Sequence, residues 1–254
     1  MSILDSIVKT KPKAPRITIY GKHGVGKSSL AAQFPSPLFI QTEVIGLDDL
    51  KALPLVLSFK ELWEKINALL ALEKMPFKTI VIDSISKLDT LIIDHILDEE
   101  PPQKNGKKAT LNSACGGYGA GTLRAQGLHQ AFKAKMDKFQ DLGITVIYIS
   151  HVAITKIKSP DSEDYDIFSI VMNNDKSREP YIHDTDAVLF CKFQAFVDQT
   201  DSGRSVIKST GDRIIMTGGT EANVSKNRFN MPPEIKMTFD SIAQYIPFFN
   251  KEIK

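Results

Sequence analysis

The apolar run RITIY (16–20) leads directly into GKHGVGKSS (21–29), and no other stretch of the 254 residues restricts the fold as tightly. Gly21-Lys22-His23-Gly24-Val25-Gly26-Lys27-Ser28 meets the spacing G-x-x-x-x-G-K-[ST] at every position, and Ser29 follows. The glycines let the backbone curl so that its N–H groups point inward at phosphate oxygens. Lys27 neutralises the charge of the outer phosphates, and the Ser28 hydroxyl holds Mg²⁺. Such a loop needs a strand before it and a helix after it. RITIY supplies the first and KSSLAAQF (27–34) the second, with the helix amino terminus adding its own preference for anions.

Further apolar runs alternate with helical patterns. PLFIQT (37–42), LPLVLS (53–58), TIVID (79–83) and TVIYIS (145–150) read as strands, and most are continuously apolar, as parallel strands buried on both faces are. A helical stripe runs through FKELWEKINALLALEK (59–74) at Leu62, Trp63, Ile66, Leu69 and Leu70. Another runs through SISKLDTLIIDHILDEE (84–100) at Ile85, Leu88, Leu91, Ile92 and Ile96, with Ser84 placed as its cap. LRAQGLHQAFKAKMDKFQDLG (123–143) ends on Gly143, a common helix stop. AVLFCKF (187–193), SVIKST (205–210) and RIIMTG (213–218) then come consecutively as strands. The pattern predicts an α/β fold, a mainly parallel central sheet flanked by helices with an antiparallel strand extension near the C-terminus. A flexible leader is expected over 1–14 and a single domain over 15–250. Segments 101–121 and 157–184 read as long loops, and loops of that length are usually functional or disordered.

Composition sets limits on the function. With 42% apolar residues the chain can bury a full core, and a formal net charge of +2 confines any nucleic-acid surface to a local patch. Cys115 and Cys191 lie far apart, which suits a reducing compartment. The five histidines show no metal-ligand spacing. The amino terminus lacks a signal-peptide pattern, and no apolar run approaches the roughly 18 residues of a membrane span. A cytoplasmic protein with no membrane partner is expected.

Two carboxylates complete the candidate site. Asp83 ends the TIVID strand, where it can hold the Mg²⁺ shell through water. Its neighbour is Ser84, so a water-activating carboxylate must come from elsewhere. FIQTE (39–43) places Glu43 just past a neighbouring strand end, where parallel strands converge on a ligand crevice, and Glu43 is nominated as general base. The [NT]KxD signature of guanine recognition is missing from late strand ends, so ATP with Mg²⁺ is the expected ligand.

The phosphate loop, FIQTE, IVIDSISKL (80–88) and VIYISH (146–151) together resemble the RecA recombinase core, and VSKNRF (224–229) adds a fifth matching segment. The resemblance implies a RecA-like P-loop NTPase core. It assigns the strand end at His151 to sensing of the γ-phosphate, although RecA-type proteins usually carry Gln there. It also implies that Lys226 and Arg228 reach a neighbouring subunit's γ-phosphate, which makes hydrolysis depend on assembly into a ring or filament. More narrowly, the small size is similar to the phage-encoded RecA-like ATPases of recombination and single-strand annealing. That implies single-stranded DNA as a partner, possible cooperation with a single-strand-binding protein, and a bacterial host cytoplasm.

By the same resemblance, two loops would touch DNA. Lys107, Lys108 and Arg124 stand in or beside the first, and Lys156, Lys158, Lys176 and Arg178 in or beside the second. The second also holds the acidic run DSEDYD (161–166), which would repel phosphate at a contact. Two other readings stay open: a P-loop switch that regulates a protein partner without DNA, and a ring-forming helicase-type motor. A small-molecule kinase fits poorly, because its lid would contain Arg178 as its only arginine.

Overall fold

The computed structural model describes residues 11–101, 109–158, 163–199 and 205–251. In chain order the elements are β1 (Arg16–Gly21), α1 (Lys27–Ala31), β2 (Pro37–Gln41), β3 (Ala52–Leu53), α2 (Phe59–Leu70), β4 (Thr79–Asp83), α3 (Ile85–Asp98) and α4 (Ala120–Asp141). They continue with β5 (Thr145–Ile157), β6 (Tyr165–Ile170), α5 (Asp175–Ile182), β7 (Ala187–Gln199), β8 (Ser205–Met216), β9 (Lys226–Asn227), β10 (Glu234–Lys236) and α6 (Phe239–Ala243).

β1 lies at the centre, parallel to β5 on one side and β7 on the other. The sheet runs β10-β8-β7-β1-β5-β4-β2-β3. β2, β3, β4, β5, β1 and β7 are parallel, and β8, β10 and β9 join antiparallel at the β7 edge. This is the RecA-like arrangement with its antiparallel C-terminal extension. Ile17 and Ile19 point to one face, packing with Leu30, Phe34, Ile147, Leu189 and Ile242. Tyr20, Ile80, Ile82, Val146 and Tyr148 point to the other, against α2, α3 and α4. All are essentially solvent-free, and each large apolar side chain stabilises the fold by about 1.5–3 kcal/mol through burial.

The helices begin and end for local reasons. Ser58 Oγ accepts the Glu61 N–H at 3.2 Å, and Ser84 Oγ accepts the Lys87 N–H at 3.2 Å, so both serines cap as their type favours. α4 stops where Gly143 takes φ +79° and the Ile144 N–H returns to the Phe139 carbonyl at 2.9 Å.

Four sequence expectations are corrected. Of LPLVLS only Leu53 is in a strand, the two-residue β3, because Pro54 has no N–H to continue a ladder and the Val56 N–H turns back to Gln41 O at 2.8 Å. SVIKST and RIIMTG form one strand, β8, paired along β7. α4 begins at Ala120, before Leu123, and a 3₁₀ turn at Ala114–Gly116 precedes it. The largest correction concerns 157–184. β5 runs on to Ile157 and forms a hairpin with β6, and α5 follows. Exposed Ile154 blurred the alternation of the strand, and Pro180 inside α5 disguised the helix. Asn174 is what starts it, with Oδ1 accepting the Ser177 N–H at 2.9 Å.

A buried polar chain fastens that last segment to the core. His129 on α4 is fully buried, with Nδ1 at 2.9 Å from the Tyr181 hydroxyl on α5 and Nε2 at 2.9 Å from Asp89 Oδ1 on α3. Asp89 Oδ2 accepts the Asn173 N–H at 2.8 Å. Removing the imidazole strands both partners away from water. His129→Leu is therefore expected to lower stability by about 2–4 kcal/mol, read as a shifted urea midpoint with an unchanged slope. Tyr181→Phe, which deletes one hydroxyl and leaves the ring, should cost clearly less.

Candidate nucleotide-phosphate site

The site is built where the parallel strands end. Gly21 at the end of β1 lies level with His151 of β5 and Cys191 of β7, and Asp83 at the end of β4 lies beside Gln41 and Ile149. A cavity of 390 Å³ opens here, lined by the 23–29 loop together with Glu43, Asp83, His151 and Arg213.

The loop has the backbone its glycines permit. Gly24 takes φ +74° and Gly26 φ +98°, a region costly for other residues. Lys22 and Val25 close the loop through a backbone hydrogen bond of 3.4 Å. Lys27 is buried, donates to the carbonyls of Gly21 and Lys22 at 3.1 Å each, and has its pKa lowered by burial. Ser28 donates to Asp83 Oδ2 at 2.5 Å, and Ser29 lines the same cavity. Burial raises the Asp83 pKa, and the Ser28 hydroxyl offsets this only in part. A partly desolvated lysine facing a hydroxyl–carboxylate pair has the chemistry to receive phosphate oxygens and a hard divalent cation.

Across the cavity, Glu43 Oε1 and Oε2 lie 2.9 and 3.2 Å from His151 Nε2. This contact holds the Glu43 carboxyl below its ordinary pKa despite partial burial. His23 stacks on His151 with centroids 4.1 Å apart, and His151 Nδ1 is buried without a hydrogen-bond partner. Glu43, His151 and Asp83, nominated from three separate strand ends, thus meet in one cavity.

Short polar side chains position them, and sequence reading had missed these. Thr42 Oγ1 donates to Ser84 O and accepts the Ser84 N–H, both at 2.7 Å, which locks the end of β2 to the end of β4. The Ser86 hydroxyl accepts the His151 N–H at 3.0 Å and meets Ser150 Oγ at 2.9 Å. Arg213 was also missed, since it stands in an unremarkable strand pattern and only tertiary structure brings it to the loop.

Lys226 and Arg228 lie at the opposite end of the sheet. β9 pairs with Ala187 and Val188, the first residues of β7. Arg228 pairs with Asp186 at 3.2 Å, and Lys226 donates to the Ile182 carbonyl at 3.4 Å. Burial, then the neighbouring Arg228, lowers the Lys226 pKa. Neither residue lines this chain's own cavity.

The basic residues nominated for DNA are scattered. Arg124 on α4 pairs with Glu99, and Arg178 on α5 pairs with Asp175 at 3.1 Å with most of its side chain covered. Lys156 stands opposite Asp166 in the β5–β6 hairpin. Lys158 and Lys176 are exposed, and Lys107 and Lys108 lie outside the described residues. Among the described residues no group of three or more His, Cys, Asp or Glu side chains could hold a metal, and no helix is long and apolar enough to cross a membrane.

A family model described as "AAA domain" matches residues 13–229. None of the curated proteins matches the sequence. Among solved structures, the KaiC-like protein PH0186 of the archaeon Pyrococcus horikoshii OT3 is 12% identical, with a TM-score of 0.38 over 81% of this chain and 79% of that one. The flagellar accessory protein FlaH of Methanocaldococcus jannaschii is 13% identical, with a TM-score of 0.37 over 80% and 76%.

The burial of Asp83 carries a testable sign. A carboxyl whose folded pKa is raised loses stability as pH climbs from the unfolded value, about 3.9, through the folded one, and the loss persists at neutral pH. Asp83→Asn is therefore expected to raise the melting temperature of the nucleotide-free protein at pH 7 and to flatten its pH dependence above pH 4. Calorimetry between pH 4 and 8 measures both.

Proposed function

The chain belongs to the AAA domain family and is a P-loop ATPase with a RecA-like core, and we propose that it hydrolyses ATP at interfaces between its own copies. The observation that supports this reading is the division of the machinery. Glu43, His151, Asp83, Lys27 and Ser28 stand together at one end of the sheet, while Lys226 and Arg228 stand at the other. Within one copy the two sets cannot act on the same phosphate. Only a second copy could bring Lys226 and Arg228 to this cavity.

The roles follow from the chemistry. The inward N–H groups from Gly21 to Ser29 hold the phosphates, and Lys27 offsets their charge. Ser28 and Asp83 are the residues that would hold Mg²⁺, Asp83 through water. A divalent cation held there would supply positive charge against the charge that builds up in the transition state. Glu43, kept ionised by its hydrogen bond with His151, orients the attacking water and accepts its proton at Oε. His151 lines the cavity beside Glu43 and is the residue that would sense the terminal phosphate, as the RecA resemblance implies. A neighbour's Lys226 and Arg228 supply the last positive charges, as the RecA resemblance implies.

Single-stranded DNA is the partner proposed from the same resemblance, in the manner of phage annealing ATPases. One structural feature favours it. β5 carries His151 into the cavity and continues unbroken to the hairpin that bears exposed Lys156, with Lys158 directly after its last residue. A change at the phosphate can therefore move the hairpin without an intervening joint.

ATPase rate per subunit against protein concentration, with and without a single-stranded oligonucleotide, tests the proposal. A rate that rises with concentration and with DNA is expected. A flat rate indifferent to DNA rejects it in favour of a nucleotide switch acting on another protein. Lys27→Ala is expected to abolish nucleotide binding and Arg228→Ala to keep binding but lose hydrolysis. Mixed in equal amounts, the two variants should recover part of the activity through hybrid interfaces. No recovery in a mixture shown to co-assemble rules out the action in trans.

A further inference from the structure

The cavity is lined by a cation that neither the loop motif nor the RecA resemblance assigns. Arg213 lies on β8, which does not pair with β1 but reaches the loop across β7. Gly21 is level with Cys191, and Cys191 is level with Ile215. Because β8 runs antiparallel, Arg213 stands two residues beyond that level, about 7 Å further along, beside the loop itself.

Three features place its side chain there. First, the β7–β8 ladder breaks at this point. Register passes from Phe193↔Arg213 to Ala195↔Ser209, so Thr210, Gly211 and Asp212 stand opposite Gln194 alone. Gly211 takes φ +83° to make the irregularity, and bulges beside functional sites commonly re-aim a neighbouring side chain. Second, the guanidinium lies over the ring of its cross-strand partner Phe193, 5.8 Å from the centroid, and Arg213 is among the residues that line the cavity. Third, its Nη1 comes so near the loop that a Cβ on Gly26 would stand 2.7 Å from it. No carboxylate among the described residues forms an ion pair with Arg213, and the residue is exposed.

We propose that Arg213 is a second phosphate-binding cation, supplied in cis by the β7–β8 ribbon, that holds the phosphates common to ATP and ADP. The choice of phosphates follows from the sheet order. Glu43, Asp83 and His151 come from β2, β4 and β5, on one side of β1, and they face the terminal phosphate in the reading given above. Arg213 arrives from β8 on the other side, away from those three groups, and is therefore assigned to the phosphates that remain. A guanidinium fork there binds two phosphate oxygens at once. It also ties the ribbon to the presence of nucleotide, whichever nucleotide that is.

This inference rests on the nucleotide reading of the same cavity, and one titration series separates the two. ADP and a non-hydrolysable ATP analogue are titrated into the wild-type protein and the Arg213→Ala, Arg213→Lys and Lys27→Ala variants, with Kd as the readout. Arg213→Ala is expected to weaken both ligands in parallel, by about 10- to 100-fold, the range of a lost charge-assisted contact. Arg213→Lys should recover only part, and in turnover the loss should fall on KM more than on kcat. The Arg213 side chain is exposed and adds nothing to the buried core, so an unchanged melting temperature without nucleotide is expected to accompany the effect. Equal affinity of Arg213→Ala and wild type for both ligands overturns the inference, and so does weakened binding of the ATP analogue alone. If Lys27→Ala loses binding while Arg213→Ala does not, the site stands and this assignment falls. If Lys27→Ala still binds, both fall.

Discussion

Everything at the site depends on β1 being flanked on both sides and covered on both faces. A strand in that position cannot shift its register without turning Ile17 and Ile19 out of one core layer and Thr18 and Tyr20 out of the other. Its last residue is therefore a fixed point, and the phosphate loop is suspended from it. Gly21 shows how tight the fit is, because a Cβ there would stand 2.3 Å from the Cys191 carbonyl oxygen. Its parallel neighbours are held in register with it: Gly21 is level with His151 of β5 and Cys191 of β7, and Asp83 ends β4 level with Ile149, two residues before His151. That shared edge, more than any single contact, brings Glu43, Asp83 and His151 together from strands far apart in sequence.

The edge is electrostatically expensive. Burial lowers the Lys27 pKa and raises that of Asp83, so each group is held in a setting that disfavours its charge. The 2.5 Å hydrogen bond from Ser28 relieves Asp83 in part, and the loop carbonyls relieve Lys27 in part. Such arrangements lower the stability of the free protein and are compensated by a ligand of matching charge. Glu43 is treated differently. It is about a third exposed and its hydrogen bond with His151 favours the ionised form, so it is ready to accept a proton with no ligand to prepare it.

How much of this could be read from sequence varied with how local the signal was. The loop was fully legible, because its function is written in its own backbone requirements. Parallel strands such as TIVID were legible because burial on both faces leaves a continuous apolar run, and helices α2 and α3 because of their apolar stripes, with Ser84 marking the start of α3. Glu43 and Asp83 were nominated by asking what stands at strand ends, and His151 by the RecA resemblance. The β5–β6 hairpin and α5 were not legible, since an exposed Ile154 and an internal Pro180 imitate irregular chain. The Asp89–His129–Tyr181 chain was also hidden, because three helices must first pack before its members meet. Arg213 had no local signal at all. Its meaning comes from a break in a ladder two strands away from the loop.

That break also bears on how the molecule could transmit a nucleotide signal. Two ribbons leave the carboxyl edge of the sheet, one continuing β5 beyond His151 and one formed by β7 and β8 beyond Cys191. They rise from strands on opposite sides of β1, so the loop lies between their roots. On the assignments proposed above, the β5 ribbon is rooted at the side chain that would face the terminal phosphate, and the β7–β8 ribbon at the one that would face the rest of the phosphate chain. Loss of the terminal phosphate therefore removes the contact of the first and leaves that of the second. A nucleotide held this way sets the two ribbons relative to each other, and the difference between ATP and ADP becomes a difference in one ribbon only. In an assembly closed by Lys226 and Arg228 of a neighbouring copy, the same terminal phosphate is shared by the β5 ribbon and the interface. Hydrolysis would then release both at one step, while the β7–β8 ribbon keeps the spent nucleotide in place.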